Sequence, residues 1–149
     1  MSRGFTLLEV LIAALLLGVG LTTVLVSMAQ SQKMMLASAY SETAQEVMDW
    51  GEMAYPLEEV TDEDDLDVNE TKAEELWSMI SDERLSREQQ DKYHGYTWER
   101  ARIDKNMDDD EIARLGGIMP VRITVKWADN RRGDHEEESY VALWRKPEK

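Results

Sequence analysis

A chain of 149 residues with 31 acidic against 17 basic side chains, a formal net charge of -14 and no cysteine allows one modest domain. A duplex-binding surface needs clustered Lys and Arg, so this charge balance argues against nucleic acid as a partner. Without cysteine there is no disulfide framework, no thiol nucleophile and no thiolate zinc site.

The chain opens with Met1-Ser2-Arg3-Gly4 and then runs apolar from Phe5 to Val26, with no charge between Glu9 and Lys33. About 20 residues at about 1.5 Å each cross a hydrocarbon core about 30 Å thick, so the length suits one membrane-spanning helix. Arg3 on the short leading side places the N-terminus in the cytoplasm. The odd residue is Glu9. An unpaired acid at mid-membrane costs on the order of 3 kcal/mol, less near the interface, and therefore needs a partner. No Lys, Arg or His lies between Val10 and Gln32, so the same helix supplies no cation. The nearest are Arg3 and the α-amino group that a cut before Phe5 would set free, one helical turn from Glu9.

The stretch Arg3-Gly4-Phe5-Thr6-Leu7-Leu8-Glu9-Val10-Leu11-Ile12-Ala13 resembles the N-terminal signature of type IV prepilins and type II secretion pseudopilins. The resemblance implies cleavage between Gly4 and Phe5 by a prepilin peptidase, methylation of the new Phe5 amine, and an assembly salt bridge from Glu9 to the terminal amine of a neighbouring subunit. A buried carboxylate deprived of its partner is strongly penalised, so such a pair sets register. It also implies membrane lipid before assembly, other pilins or pseudopilins as neighbours, and an inner-membrane assembly platform with its ATPase. The chain would cross the bacterial inner membrane once, with a periplasmic head, before joining a periplasmic or surface filament. An ordinary signal peptide, cut near Ser27-Met28-Ala29, or a plain single-span anchor shares the length and hydrophobicity but not the acid.

No Gly or Pro falls between Leu21 and Trp50, so the helix is expected to continue for about 45 residues until Gly51 and Pro56 stop it. In its second half Leu36, Tyr40, Ala44, Val47 and Trp50 fall on one face and Ser38, Glu42, Gln45 and Asp49 elsewhere, the pattern of a helix lying on a sheet. Met28, Met34 and Met35 read as filler within a helix bundle. Gly18 and Gly20 lack the four-residue spacing of a helix-dimer motif.

From Glu42 to Glu75 there are fourteen acids and one base, Lys72, and seven of the ten residues from Glu58 to Asp67 are acidic. That stretch is expected to be a solvated, self-repelling, extended loop. Asp65, Asp67 and Asn69 match the first oxygen positions of a calcium loop, but Glu70 and Leu76 stand where Gly and Glu are required; Asp104, Asn106 and Asp108 fail likewise. No cofactor is expected, with calcium as the alternative. Thr71-Lys72-Ala73-Glu74 reads as a capping box opening a helix to about Ser81, and short helical turns follow near Ser86 and Asp108.

Period-two alternation marks three strands: Tyr96, Trp98 and Arg100; Val121, Ile123, Val125 and Trp127; Tyr140, Ala142 and Trp144. The turn chemistry of Asp129 to Asp134 makes the last two a hairpin. The expected fold is α+β and pilin-like, a long helix packed on a three-stranded antiparallel sheet. Its divisions are a leader at 1–4, a membrane half-helix at 5–28, an amphipathic half-helix at 29–52 and a head at 53–149. Small size and the late strand ending in Trp127 favour a minor subunit, of a secretion or a pilus machine. His94 and His135 stand in unrelated contexts, so no catalytic residue is assigned. The rival readings are an anchored cation- or ligand-binding module and an anchored hydrolase; Asn69-Glu70-Thr71 is a chance sequon.

Overall fold

The computed structural model describes residues 6–103, 107, 109–128 and 135–147. The chain divides into two compact units, Met1–Tyr40 and Ser41–Lys149. Helix α1 (Leu7–Ala54) runs through the boundary. Within the first unit every described residue from Thr6 to Ala39 is exposed.

The second unit has the α+β architecture expected. After α1 come 3-10 turns at Leu57–Glu59 and Glu63–Leu66, then β1 (Val68–Lys72), α2 (Ala73–Ile80), α3 (Arg87–Tyr93), β2 (Thr97–Arg102), α4 (Asp109–Arg114), β3 (Ile118–Ala128) and β4 (His135–Arg145). The sheet order is β1-β2-β3-β4 with every neighbouring pair antiparallel, so it has four strands and not three. The extra strand, β1, is polar and buries only Thr71, so it carries no apolar alternation by which to be read. It is an edge strand held by main-chain pairing, with Thr71 opposite Trp98 and an irregularity between Val68 and Thr71. The hairpin of β3 and β4 is present, with Ile123 opposite Tyr140; the residues of its turn lie outside those described.

Alternation in β2, β3 and β4 produces one face of the core. Trp98, Val121, Ile123, Val125, Trp127 and Trp144 are buried, whereas Val141 and Leu143 on the other face are exposed. The amphipathic stripe of α1 meets this core through Ala44 and Val47, joined by Thr43 and Met48, while Tyr40 and Trp50 are half-buried. It begins later than its spacing indicates, because Leu36 is exposed. Gly51 does not stop the helix, which continues to Ala54. Instead Gly51 is buried, and a Cβ there would overlap the Trp98 indole. Tyr55 then stacks on the same indole at 5.7 Å. The stop belongs to Pro56, whose ring removes an N–H and disfavours helical backbone at the residue before it.

The acidic stretch also differs from expectation. Val60 and Leu66 form a buried cluster with Val121 and Trp144, and the Trp144 Nε1–H donates to the Val60 carbonyl at 3.2 Å. Two apolar anchors thus fold the loop back on the sheet despite its self-repulsion. The Thr71 capping box does not form: Lys72 is the N-cap of α2 without a side-chain bond, and the Thr71 hydroxyl donates to the Asn69 carbonyl at 2.9 Å. A complete capping box occurs in α3, where Ser86 Oγ accepts from the Gln89 N–H at 3.3 Å and Gln89 Oε1 accepts from the Ser86 N–H at 2.9 Å.

Candidate functional site

The N-terminal turn of α1 is built from Thr6 and Glu9. Thr6 N–H donates to Glu9 Oε2 at 2.9 Å, the Thr6 hydroxyl donates to the same oxygen at 3.0 Å, and the Glu9 N–H reaches Thr6 Oγ1 at 3.4 Å. This is the reciprocal pattern of a capping box, encoded by Thr6-Leu7-Leu8-Glu9. The carboxylate also sits at the positive end of a long helix, where negative charge is favoured. Glu9 therefore has hydrogen-bond partners in its own chain, which a search for cations alone passes over. These partners leave its charge in place. Gly4 and Phe5, the expected cleavage and methylation positions, lie outside the described residues.

Beyond Glu9 the helix presents an uninterrupted apolar surface: Val10, Leu11, Ile12, Leu15, Leu16 and Leu17 are each more than half exposed. It is the one helix among the described residues long and apolar enough to cross a membrane. Thr22 and Thr23 do not break that surface, because their hydroxyls donate to the carbonyls of Gly18, at 2.8 Å, and of Val19 and Gly20, at 3.0 and 2.8 Å. At Gly18 and Gly20 nothing beyond the adjoining helical backbone lies within 4 Å of where a side chain would begin.

The calcium candidates are spread over three settings. Asp65 ends up in a 3-10 turn, Asp67 accepts the Arg102 backbone N–H at 2.8 Å, and Asn69 is exposed on β1. Among the described residues no three acids or histidines are grouped to hold a metal. Asp104, Asn106 and Asp108 lie outside those described. His94 Nδ1 is 3.8 Å from Glu74 and largely exposed, whereas the side chain of His135 is not among those described.

Alternation places Arg100 on the inward face of its strand but gives it no role there. Arg100 is 3% exposed, and its guanidinium donates to three carbonyls: Leu66 at 2.9 Å, Tyr55 at 2.7 Å and Asp65 at 3.2 Å. Burial lowers its pKa and the nearby Asp67 charge opposes that shift. A cation thus ties the residue following α1 to the acidic loop. Its only sequence signal is an Arg at an inward strand position opposite a surplus of acids.

Residues 1–29 match the family model described as "Prokaryotic N-terminal methylation motif". The match supports the type IV pilin and pseudopilin family on the N-terminal fifth of the chain, and that family is structural. The motif implies processing by a prepilin peptidase and association with other pilins. With the apolar helix, it indicates a membrane-anchored protein. Neither the curated proteins nor the solved structures contain a match to the chain.

Proposed function

We propose that this chain, with the pilin-type methylation motif at its start, is a minor pseudopilin-like or minor pilin-like structural subunit and not an enzyme. It inserts with Arg3 on the cytoplasmic side, is cut between Gly4 and Phe5, and is methylated on Phe5. The head then lies in the periplasm, and the apolar helix carries the subunit into a filament driven by an inner-membrane platform and its ATPase.

The observation that carries this reading is Glu9, one acid at the first turn of a helix whose first half is otherwise exposed and uncharged. Moving such a helix from lipid into a bundle of like helices changes apolar burial little, so packing and polar contacts must decide how it docks. A Glu9 carboxylate that exchanges its Thr6 donors for the amine of a neighbouring subunit neutralises two charges inside the bundle. Only one register allows that.

Intact-mass analysis of the protein from its native host should give a chain beginning at Phe5 and carrying one methyl group. Glu9→Ala should still be cleaved but fail to enter filaments. A mature chain beginning elsewhere, or normal incorporation of the Glu9→Ala variant, would remove the basis of the proposal.

A further inference from the structure

A second feature lies wholly within the head and plays no part in the assembly reading. Helices α2 and α3 and the segment joining them line an open cavity of about 690 Å³, with Trp77 and Leu85 among the lining residues. That volume falls within the roughly 300–1,000 Å³ of pockets that take small organic ligands or short peptide segments.

The walls are fixed. The Trp77 Nε1–H donates to the Glu83 carbonyl at 2.7 Å, and Gln90 Nε2 donates to the Leu85 carbonyl at 3.0 Å. Trp77 is itself braced against Trp50, with ring centroids 4.9 Å apart. An aromatic plane is thus held in position before anything arrives.

The lining carries four carboxylates, Glu74, Asp82, Glu83 and Asp91, against Arg84 and His94. They are not gathered as chelators, since no metal-holding group exists among the described residues. Carboxylates spaced around an aromatic wall suit a broad cation whose charge is spread over a plane, and guanidinium both stacks on indole and forks to carboxylates.

We infer that this cavity is a docking site for an arginine-bearing segment of a partner protein. The indole takes the guanidinium face while Asp82 and Glu83 take its N–H donors. The site does not depend on whether the chain enters a filament.

The test uses the full-length, 15N-labelled chain in detergent micelles and the peptide acetyl-Gly-Arg-Arg-Gly-amide. Five tryptophans give five indole N–H signals, and the Trp77→Phe spectrum identifies that of Trp77. Millimolar peptide should shift this signal saturably, while the citrulline counterpart, equal in shape but uncharged, should not. The double variant Asp82→Asn, Glu83→Gln should bind several-fold more weakly, since an exposed charge contact contributes up to about fivefold. Its other four indole signals should stay in place, showing that the head is folded. Absence of a saturable shift, an equal response to the citrulline peptide, or undiminished binding by the double variant would overturn the inference.

Discussion

Two residues show how charge is used inside the head. Arg100 satisfies three main-chain carbonyls from a buried position, so replacing it strands the buried Leu66 carbonyl and removes the part-buried bonds to Tyr55 and Asp65. Arg100→Met should cost about 3 kcal/mol, read from urea unfolding followed by tryptophan fluorescence. Glu46 works at the surface, accepting from Lys92 Nζ and from the Tyr93 hydroxyl, each at 2.6 Å. Burial pushes its carboxyl up, but the bonds from Lys92 and Tyr93 outweigh that and hold it below its ordinary 4.5. The bond to Glu46 raises Lys92 above its ordinary 10.5. The stabilisation is therefore complete between 4.5 and 10.5; it is lost as pH falls through the lowered Glu46 value or rises through the raised Lys92 value. Both side chains are more than a third exposed, 42% and 38%, so the effect is small. Glu46→Gln should lower stability at neutral pH by less than about 1 kcal/mol, with the difference closing in acid.

At the scale of elements, α1 changes role along its length without changing conformation. Between Glu9 and Lys33 it is uncharged and exposed all round, and from Thr43 onward one stripe is buried. Gly51 sits in that stripe because the Trp98 indole occupies the space of its missing side chain. Alanine is the better helix former by about 1 kcal/mol, so on propensity alone Gly51→Ala should stabilise. The overlap with Trp98 should reverse the sign, with a net loss of about 1–3 kcal/mol in thermal or urea unfolding. A stabilised variant would show that the indole can move aside. Trp50 makes a second contact of α1, packing on Trp77 at 4.9 Å and Tyr93 at 4.4 Å. These rings fix α2 and α3 on the helix although neither short helix is long enough to be stable alone.

For the whole molecule, burial among the described residues begins at Thr43, and the core residues they include belong to the second unit. A chain starting at Lys33 should therefore be soluble without detergent and unfold in one cooperative transition. Loss of that transition would mean that the apolar turns of α1 contribute to the head. The surface of the head carries most of the net charge, which favours solubility and repels other acidic surfaces. The loop from Glu58 to Asp67 escapes disorder because Val60 and Leu66 are buried and Arg100 holds its backbone.

Periodicity and composition, which are local, were enough to read the long helix, the three apolar strands, the hairpin of β3 and β4 and the α+β class from the residues. The membrane-length run and the lone acid within it were equally legible, since a charge between apolar residues stands out in any window. The fourth strand, the folded acidic loop, the buried Arg100 and the role of Gly51 were decided by tertiary structure. Each depends on a partner distant in sequence: β2 for the polar β1, Trp144 for Val60, the Tyr55 and Leu66 carbonyls for Arg100, and Trp98 for Gly51. No pattern within one segment contains that partner, and its absence is what makes a charged loop look extended or a glycine look like a stop.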